Sequence, residues 1–267
     1  MDAREDVLVG EVPSKPGLPV VRALDRGLAL LRAFTAYRPR QTLTQLAAAS
    51  GLDKGTARRL LHTLSRAGFV THDPRTGLYG LTITVLELAA AVETGRDLQE
   101  VAAPFLAELA ERTRATAFLW IHHDAAALCV GRVRMPTPGV EATWSTVGTR
   151  VPMNSGAGPR ILLAHLPPGE RDAALARPLP RRTPASQTDP DRLRDEAGRM
   201  REQGFELAVD DFVMGLSGLG VPVFDRSGAL AGALSITTPT EALTRSTPAE
   251  PLAHLRWAAA EIGPRLV

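Results

Sequence analysis

The sequence predicts an α+β fold in two successive parts, and three observations lead to that reading. Apolar residues recur at helical spacing in the first third of the chain. Strand-like runs alternate with helical segments over the remainder. Charge is distributed unevenly between the two. With 267 residues, the chain is long enough for one large domain or two modest ones, each with its own core. Hydrophobic residues make up 44% and charged residues 22%, as in ordinary globular proteins.

The total charge is bland, with 31 basic and 29 acidic side chains giving +2. Lys15 and Lys54 are the only lysines, so arginine, with its planar multi-donor fork, supplies the other 29 positive charges. Divided along the chain, residues 1–20 carry a net −2, residues 21–96 a net +6 and residues 97–267 a net −2. A basic block fused to a mildly acidic one is the pattern of a nucleic-acid module joined to something else.

Several classes are disfavoured at once. Cys129 stands alone, which leaves no intrachain disulfide and no cysteine-cluster zinc site. No window approaches about 18 uninterrupted apolar residues, so no membrane span is expected. The first twenty residues show no basic segment leading into an apolar one, and a cytoplasmic location is the default expectation. No cofactor is called for. Residues 1–20 are polar with Pro and Gly, and are expected to form a disordered tail.

In the basic block, Val21, Leu24, Leu28, Leu31 and Phe34 predict an amphipathic helix over roughly 21–36. Tyr37-Arg38-Pro39-Arg40 breaks it. Thr42 can cap a second short helix with Leu43, Leu46 and Ala47 on one face, ending at Ser50-Gly51. Asp53 caps a third, whose buried stripe is Ala57, Leu60, Leu61 and Leu64. Lys54, Arg58, Arg59, His62 and Arg66 project from its other faces, and Gly68 closes it. Phe69–His72 and Leu78–Leu81 flank the turn Asp73-Pro74-Arg75-Thr76-Gly77, a β-hairpin. Two helices joined by a tight turn, followed by a hairpin, make a winged helix-turn-helix, with Arg75 at the wing tip. The second helix would enter the major groove with its N-terminal residues nearest base edges. The DNA-contacting candidates are Thr42, Lys54, Thr56, Arg58, Arg59, His62 and Arg75.

The run "TLTQLAAASGLDKGTARRLLHTLSRAGFVTHDPRTGLYGL" (Thr42–Leu81) resembles the winged helix of IclR-type (isocitrate lyase regulator) transcription factors. Arg59 holds the position of that family's recognition-helix arginine. The likeness continues through "VPMNSGAGPRILLAHLP" (Val151–Pro167) and "REQGFELAVDDFVMGLSGLGVPVFDRSGALAGALSITTPT" (Arg201–Thr240), covering nearly the whole chain. It departs from the family pattern at several points. Gly218 stands where the family has cysteine and Ala208 where it commonly has an acid. Pro159-Arg160 replaces a Gly-Lys pair, and Thr237 replaces the second serine of a Ser-Ile-Ser run. The resemblance implies a GAF/PAS-like effector domain with a central antiparallel sheet, and a homodimer or dimer-of-dimers tetramer. In family members with known ligands these regions line a small-molecule pocket. The departures point to a ligand unlike the small oxoacids of the best-known relatives.

After the wing, Glu87–Arg96 reads as a linker helix. Asp97-Leu98 opens another helix, with Val101, Phe105, Leu106 and Leu109 on one face; the linker and this helix are candidate dimer seams. "TAFLWIHH" and "AAALCVGRV" form a hairpin around Asp124, "GVEATWSTVGTRV" is a strand region, and a helix follows near 155–165. Residues 181–188 read as a loop. Asp189 caps a helix through Gln203 with Pro190 at its first position. Strands are expected at 205–210, 217–224 and 229–237, and a last helix at 248–262. The expected division is a tail (1–20), a winged helix (21–83), a linker helix (84–96) and an effector domain (97–267).

Enzymatic readings are weak. His122 and His123 are adjacent on a strand and point to opposite faces. Cys129 lies in an apolar run and reads as a buried hydrophobe. In Gly215–Gly220 a nucleophile elbow would need glycine where Leu219 stands. No metal-protease motif or phosphate-binding loop is present. The reading is therefore a sequence-specific DNA-binding regulator, taken as a repressor, and not an enzyme. Its partners would be a near-palindromic double-stranded operator and a small organic effector. Effector-site candidates are Asn154, Ser155, Gly156, Ala157, Leu216, Ser217, Gly218, Ser235 and Thr237, whose short hydroxyls and backbone N–H groups suit a carboxylate or another small polar group. The alternative is a stand-alone sensor or partner-binding protein that uses its winged helix for protein contacts.

Overall fold

The computed structural model describes residues 19–92, 96–134, 145–245 and 248–266, which fall into two compact units divided near residue 95. The expected tail lies almost wholly outside the described residues, as does the first part of the 139–151 strand region.

The first unit begins with helix α1 (Arg22–Arg32), shorter than the expected 21–36 because the chain turns through Thr35–Arg38. A brief strand β1 (Arg40–Thr42) leads into helix α2 (Leu43–Ala49). Thr42 accepts the Gln45 N–H while the Gln45 side chain accepts the Thr42 N–H, a capping box that fixes where α2 starts. Gly51, at φ +67°, makes the left-handed turn out of it. Helix α3 (Lys54–Arg66) is capped by Asp53, whose carboxylate accepts the Thr56 N–H at 2.9 Å. The wing follows as β2 (Val70–Asp73) and β3 (Leu78–Leu81). Pairing of β1 to β3 was not expected from the sequence, and it makes the wing a three-stranded sheet of order β1-β3-β2.

Leu30, Phe34, Leu46, Ala47, Ala57, Leu61 and Val70 form the buried core of this unit, with Leu31, Leu43, Leu60 and Leu64 partly buried against it. The expected stripe on α1 therefore divides. Phe34 is buried and Leu31 partly so, whereas Leu24 and Leu28 stay 62% and 44% exposed, and Leu30, outside the expected stripe, is fully buried in their place. Helix α4 (Thr84–Ala90) ends the unit and is displaced from the expected 87–96, its residues Leu86 and Leu88 likewise exposed.

The second unit is a six-stranded sheet with helices on both faces. Helix α5 (Arg96–Thr113) precedes the hairpin β4 (Thr116–His123) and β5 (Ala126–Val133), whose turn residues Asp124 and Ala125 both have φ near +50°. After the two-residue strand β6 (Arg150–Val151) come α6 (Ala157–His165), α7 (Pro168–Leu175) and α8 (Pro190–Gln203). Strands β7 (Glu206–Val209), β8 (Leu216–Phe224) and β9 (Leu230–Pro239) complete the sheet, followed by α9 (Thr240–Arg245) and α10 (Ala249–Ile262). The short helices α7 and α9 were not expected. The strand order is β6-β5-β4-β9-β8-β7, antiparallel throughout.

Alternation along the central strands sorts residues between the two faces. Ala117 and Leu119 of β4, Leu219 and Val221 of β8, and Leu234 and Ile236 of β9 pack beneath α5 and α10. Phe118 and Trp120 of β4 and Ala233 of β9 pack with Ile161 and Leu162 of α6 and Leu193 and Ala197 of α8. This second face carries the site described below.

Leu61 is fully buried at the centre of a core of only seven buried apolar side chains. Leu61→Ala is expected to cost the first unit about 2–5 kcal/mol. Calorimetry should show one unfolding transition moved down while the second unit's transition stays in place.

Candidate functional site

Two surfaces have a geometry that the fold does not explain by itself. The first is the outer face of α3. At about 100° per residue, Arg58, His62, Arg66 and Arg59 share a sector directed away from the buried Ala57 and Leu61. All four are exposed, as is Lys54 in the first turn. Thr56 lies at the flank, half-buried, with its hydroxyl 3.5 Å from the Arg59 guanidinium. Thr42 is spent on its capping box. At the wing tip, Asp73 accepts the Arg75 N–H at 2.9 Å and the Thr76 hydroxyl at 2.9 Å, which holds the turn closed and leaves the Arg75 side chain exposed. These hydrogen bonds keep the Asp73 carboxyl below its ordinary range, and the Thr56 N–H does the same for Asp53. Among the described residues, Lys54, Arg58, Arg59, Arg66 and Arg75 have no acidic partner within ion-pair distance.

The second surface is a cleft over the sheet at the start of α6. It is lined by Trp120, Ser145, Gly156, Ala157, Gly158, Pro159, Asp211, Phe212, Val213, Leu216, Ser217, Gly218, Ser235 and Thr237. Free space within it is about 410 Å³ counting the part open to solvent, but only about 30 Å³ is open to the centre of a water molecule. That is room for about two ordered waters.

Glycine makes this arrangement possible. A Cβ on Gly158 would sit 2.4 Å from Trp120 Cδ1, and one on Gly220 would sit 3.0 Å from the Ala157 carbonyl carbon. The first turn of α6 therefore lies directly on β8 and β4. Gly156 enters it at φ +82°, and its N–H donates to both Asp211 carboxylate oxygens at 3.1 and 3.0 Å. The Trp120 indole N–H donates to Ser235 Oγ at 3.0 Å, and the Ser217 hydroxyl pairs with Thr240 Oγ1 at 2.9 Å.

Behind the cleft, Arg160 reaches Glu196 at 2.5 Å, Glu206 at 2.9 Å and Asp211 at 3.7 Å. Burial pushes the Glu206 and Asp211 carboxyls above their ordinary values, and Arg160 only partly offsets it. Three carboxylates around one buried guanidinium make a locally acidic wall.

Seven of the residues expected from sequence come together in the cleft: Gly156, Ala157, Leu216, Ser217, Gly218, Ser235 and Thr237. Asn154 and Ser155 are a correction. Asn154 is fully buried and its amide donates to the Pro180 and Gln187 carbonyls, so it ties down the 180–188 loop instead of facing the cleft. Ser155 is buried beside it and outside the lining. Sequence reasoning missed Trp120, Asp211 and Phe212. The alternation of β4 could have placed Trp120 on the α6 face, whereas nothing local marks the loop residues Asp211 and Phe212.

The expected carboxylate ligand meets no cationic side chain among the described lining residues, where Asp211 is the one charged group. The catalytic candidates are no more reactive in place. Burial pushes the Cys129 thiol up to about 12. His122 pairs with Glu170 at 3.0 Å while His123 is exposed. No group of His, Cys, Asp and Glu suited to a metal ion occurs among the described residues.

Comparison with known proteins joins the two surfaces. The chain matches the description "IclR helix-turn-helix domain" over residues 23–74 and "Bacterial transcriptional regulator IclR C-terminal" over residues 90–263. The chain belongs to the IclR family. It is a transcriptional regulator with a DNA-binding helix-turn-helix domain and a C-terminal effector domain, in a family of regulators rather than enzymes. It is 27% identical over 84% of its length to the HTH-type transcriptional regulator XynR of Escherichia coli K12, covering 88% of that protein. It is also 27% identical to the HTH-type transcriptional repressor AllR of Salmonella typhi, over 84% of this chain and 82% of that one. A solved IclR homologue from Microbacterium hydrocarbonoxydans, complexed with 4-hydroxybenzoate, aligns with a TM-score of 0.78 at 25% identity, over 91% of this chain and 98% of that one.

The acidic wall of this IclR-family regulator should leave a pH signature. Both carboxyls hold a proton more tightly in the fold than their ordinary values of 4.5 for Glu206 and 3.8 for Asp211. Their contribution is therefore fully present at low pH and is lost as pH rises through the folded pKa. Urea midpoints of the native chain and of Glu206→Gln, measured at several pH values, are expected to diverge in favour of the native chain as pH falls from 7 to 5. A difference independent of pH would remove Glu206 from the linkage.

Proposed function

We propose that the protein is a repressor that binds a near-palindromic operator as a dimer, with α3 of each copy in successive major grooves. A small molecule in the cleft of the second unit would shift its affinity for that operator. The observation that carries the DNA reading is the exposed basic sector of α3, which has no acidic partner among the described residues and faces away from the core. Lys54, Thr56 and His62 are assigned to base edges or nearby phosphates, Arg58 and Arg59 to recognition and backbone contact, and Arg75 to the phosphates beside the wing. Thr42, whose N–H and hydroxyl are both held by Gln45 in the capping box, is assigned the positioning of α2 and no phosphate contact of its own.

Dimerisation is supported by the apolar residues that α1 and α4 leave in solvent, Leu24, Leu28, Ile83, Leu86 and Leu88 among them. Repression is supported by the AllR relative, and an effector by the homologue solved with 4-hydroxybenzoate. No helix among the described residues is long and apolar enough to cross a membrane, in keeping with a cytoplasmic regulator. The effector acts only so far as it binds one DNA-domain arrangement better than another.

A gel shift on the DNA upstream of the protein's own gene tests the reading, and absence of any sequence-selective shift would favour protein contacts for the winged helix instead. Arg59→Ala is expected to weaken binding on all sequences and to reduce the slope of log K against log salt by about one. An unchanged slope would take Arg59 out of the phosphate contacts.

A further inference from the structure

We propose that the cleft of the second unit takes a small organic cation, a protonated amine held by Asp211 beside the Trp120 and Phe212 rings, and not a carboxylate. This rests on the reading of that cleft as the effector site.

Charge is the first ground. Asp211 is the one ionisable side chain among the described lining residues. The segment 135–144, which joins β5 to Ser145, contains no Lys, Arg or His and one Glu. Two guanidiniums stand just outside the lining, each already engaged. Arg160 is shared by Glu196, Glu206 and Asp211. Arg182 is exposed, lies over the Phe212 ring at 4.3 Å and is not part of the lining. A carboxylate entering here would leave water for a half-enclosed site whose nearest fixed charge has its own sign.

Hydrogen-bonding capacity is the second ground. An anion needs several convergent donors, and three of those in the lining are already given away. The Gly156 N–H is given to Asp211, the Trp120 indole N–H to Ser235, and the Ser217 hydroxyl is paired with Thr240. Pro159 has no N–H, and the donors that remain include the Ala157 and Gly158 N–H groups and the Ser145 and Ser235 hydroxyls, which also accept. Acceptors remain in supply. A carboxylate offers about four lone-pair sites, and the Gly156 N–H and Arg160 do not exhaust those of Asp211. The Ser145 hydroxyl, fully buried in the lining, has no hydrogen-bond partner among the described residues.

Shape is the third ground. About 30 Å³ open to a water centre fits a group the size of an ammonium, with the rest of the ligand toward the open side of the cleft. Aromatic faces within about 6 Å of such a group attract it further.

Calorimetric titration of the full chain tests this with probes matched in skeleton: 4-hydroxybenzylamine, 4-hydroxybenzyl alcohol and 4-hydroxybenzoate, then propylamine, propanol and propionate. In at least one set the amine is expected to bind about tenfold more tightly than its acid and its alcohol. Asp211→Asn, which keeps an acceptor for the Gly156 N–H, is expected to bring amine and alcohol close together. Should that variant fail to fold, the ratios in the native chain decide alone. Tighter binding of an acid, or an alcohol that matches its amine, would overturn the cation and leave the effector site standing. No heat with any of the six would count against the effector reading and carry this inference down with it.

Discussion

The geometry of the second unit depends on one close approach, the first turn of α6 lying directly on the backbone of β8 and on the Trp120 indole of β4. Gly158 against Trp120 and Gly220 against Ala157 leave no space for a Cβ. Close packing makes such a contact a two-sided condition, since neither surface can retreat without opening a void. From it follow the orientation of the Trp120 ring, its hydrogen bond to Ser235, and the delivery of the Gly156 N–H to Asp211. The cleft is the space left where this packing stops, at the loop between β7 and β8.

Arginine serves opposite purposes in the two units. On α3 it is exposed and has no acidic partner among the described residues, so that its field extends into solvent, where it can exchange counterions with a polyanion. In the second unit Arg160 is buried among three carboxylates, and Arg150 and Arg177 both meet Asp124. Each of those guanidiniums has a carboxylate in contact, so its field falls mainly on its neighbours. The basic excess of residues 21–96 is thus a property of surface and not merely of composition.

Much of the first unit could be read from residue spacing. Asp53 and Thr42 cap the helices they were expected to cap, Gly51 turns where glycine was needed, and the Asp73–Gly77 turn closes the wing. These are local rules, satisfied within four residues. The β1–β3 pairing escaped because a three-residue strand has too little periodicity to show. In the second unit, the longer strands and helices were placed to within a few residues, α7 and α9 were not expected, and the site was only half assembled. Short polar residues on β8 and β9 could be nominated because alternation puts them on one face. Asn154 and Ser155 look like the same kind of residue, but a loop 26 residues away claims the Asn154 amide. Asp211 and Phe212 enter the cleft through the path of a loop, and no period in the sequence describes that path.

The glycine contact also divides the cleft into a part that can change and a part that cannot. On the α6 side, any new side chain at 158 or 220 would meet an indole ring or a backbone carbonyl carbon within 3.0 Å. Selection for a different small molecule has little room to work there. The opposite wall is built from side chains that stand free of that contact: Leu216, Ser217, Thr237, Phe212 and Val213. On the proposed reading of the cleft, a lineage of such regulators would exchange ligands by rewriting about half a dozen positions on strand ends and one loop. The helix that faces them serves as an unvarying floor.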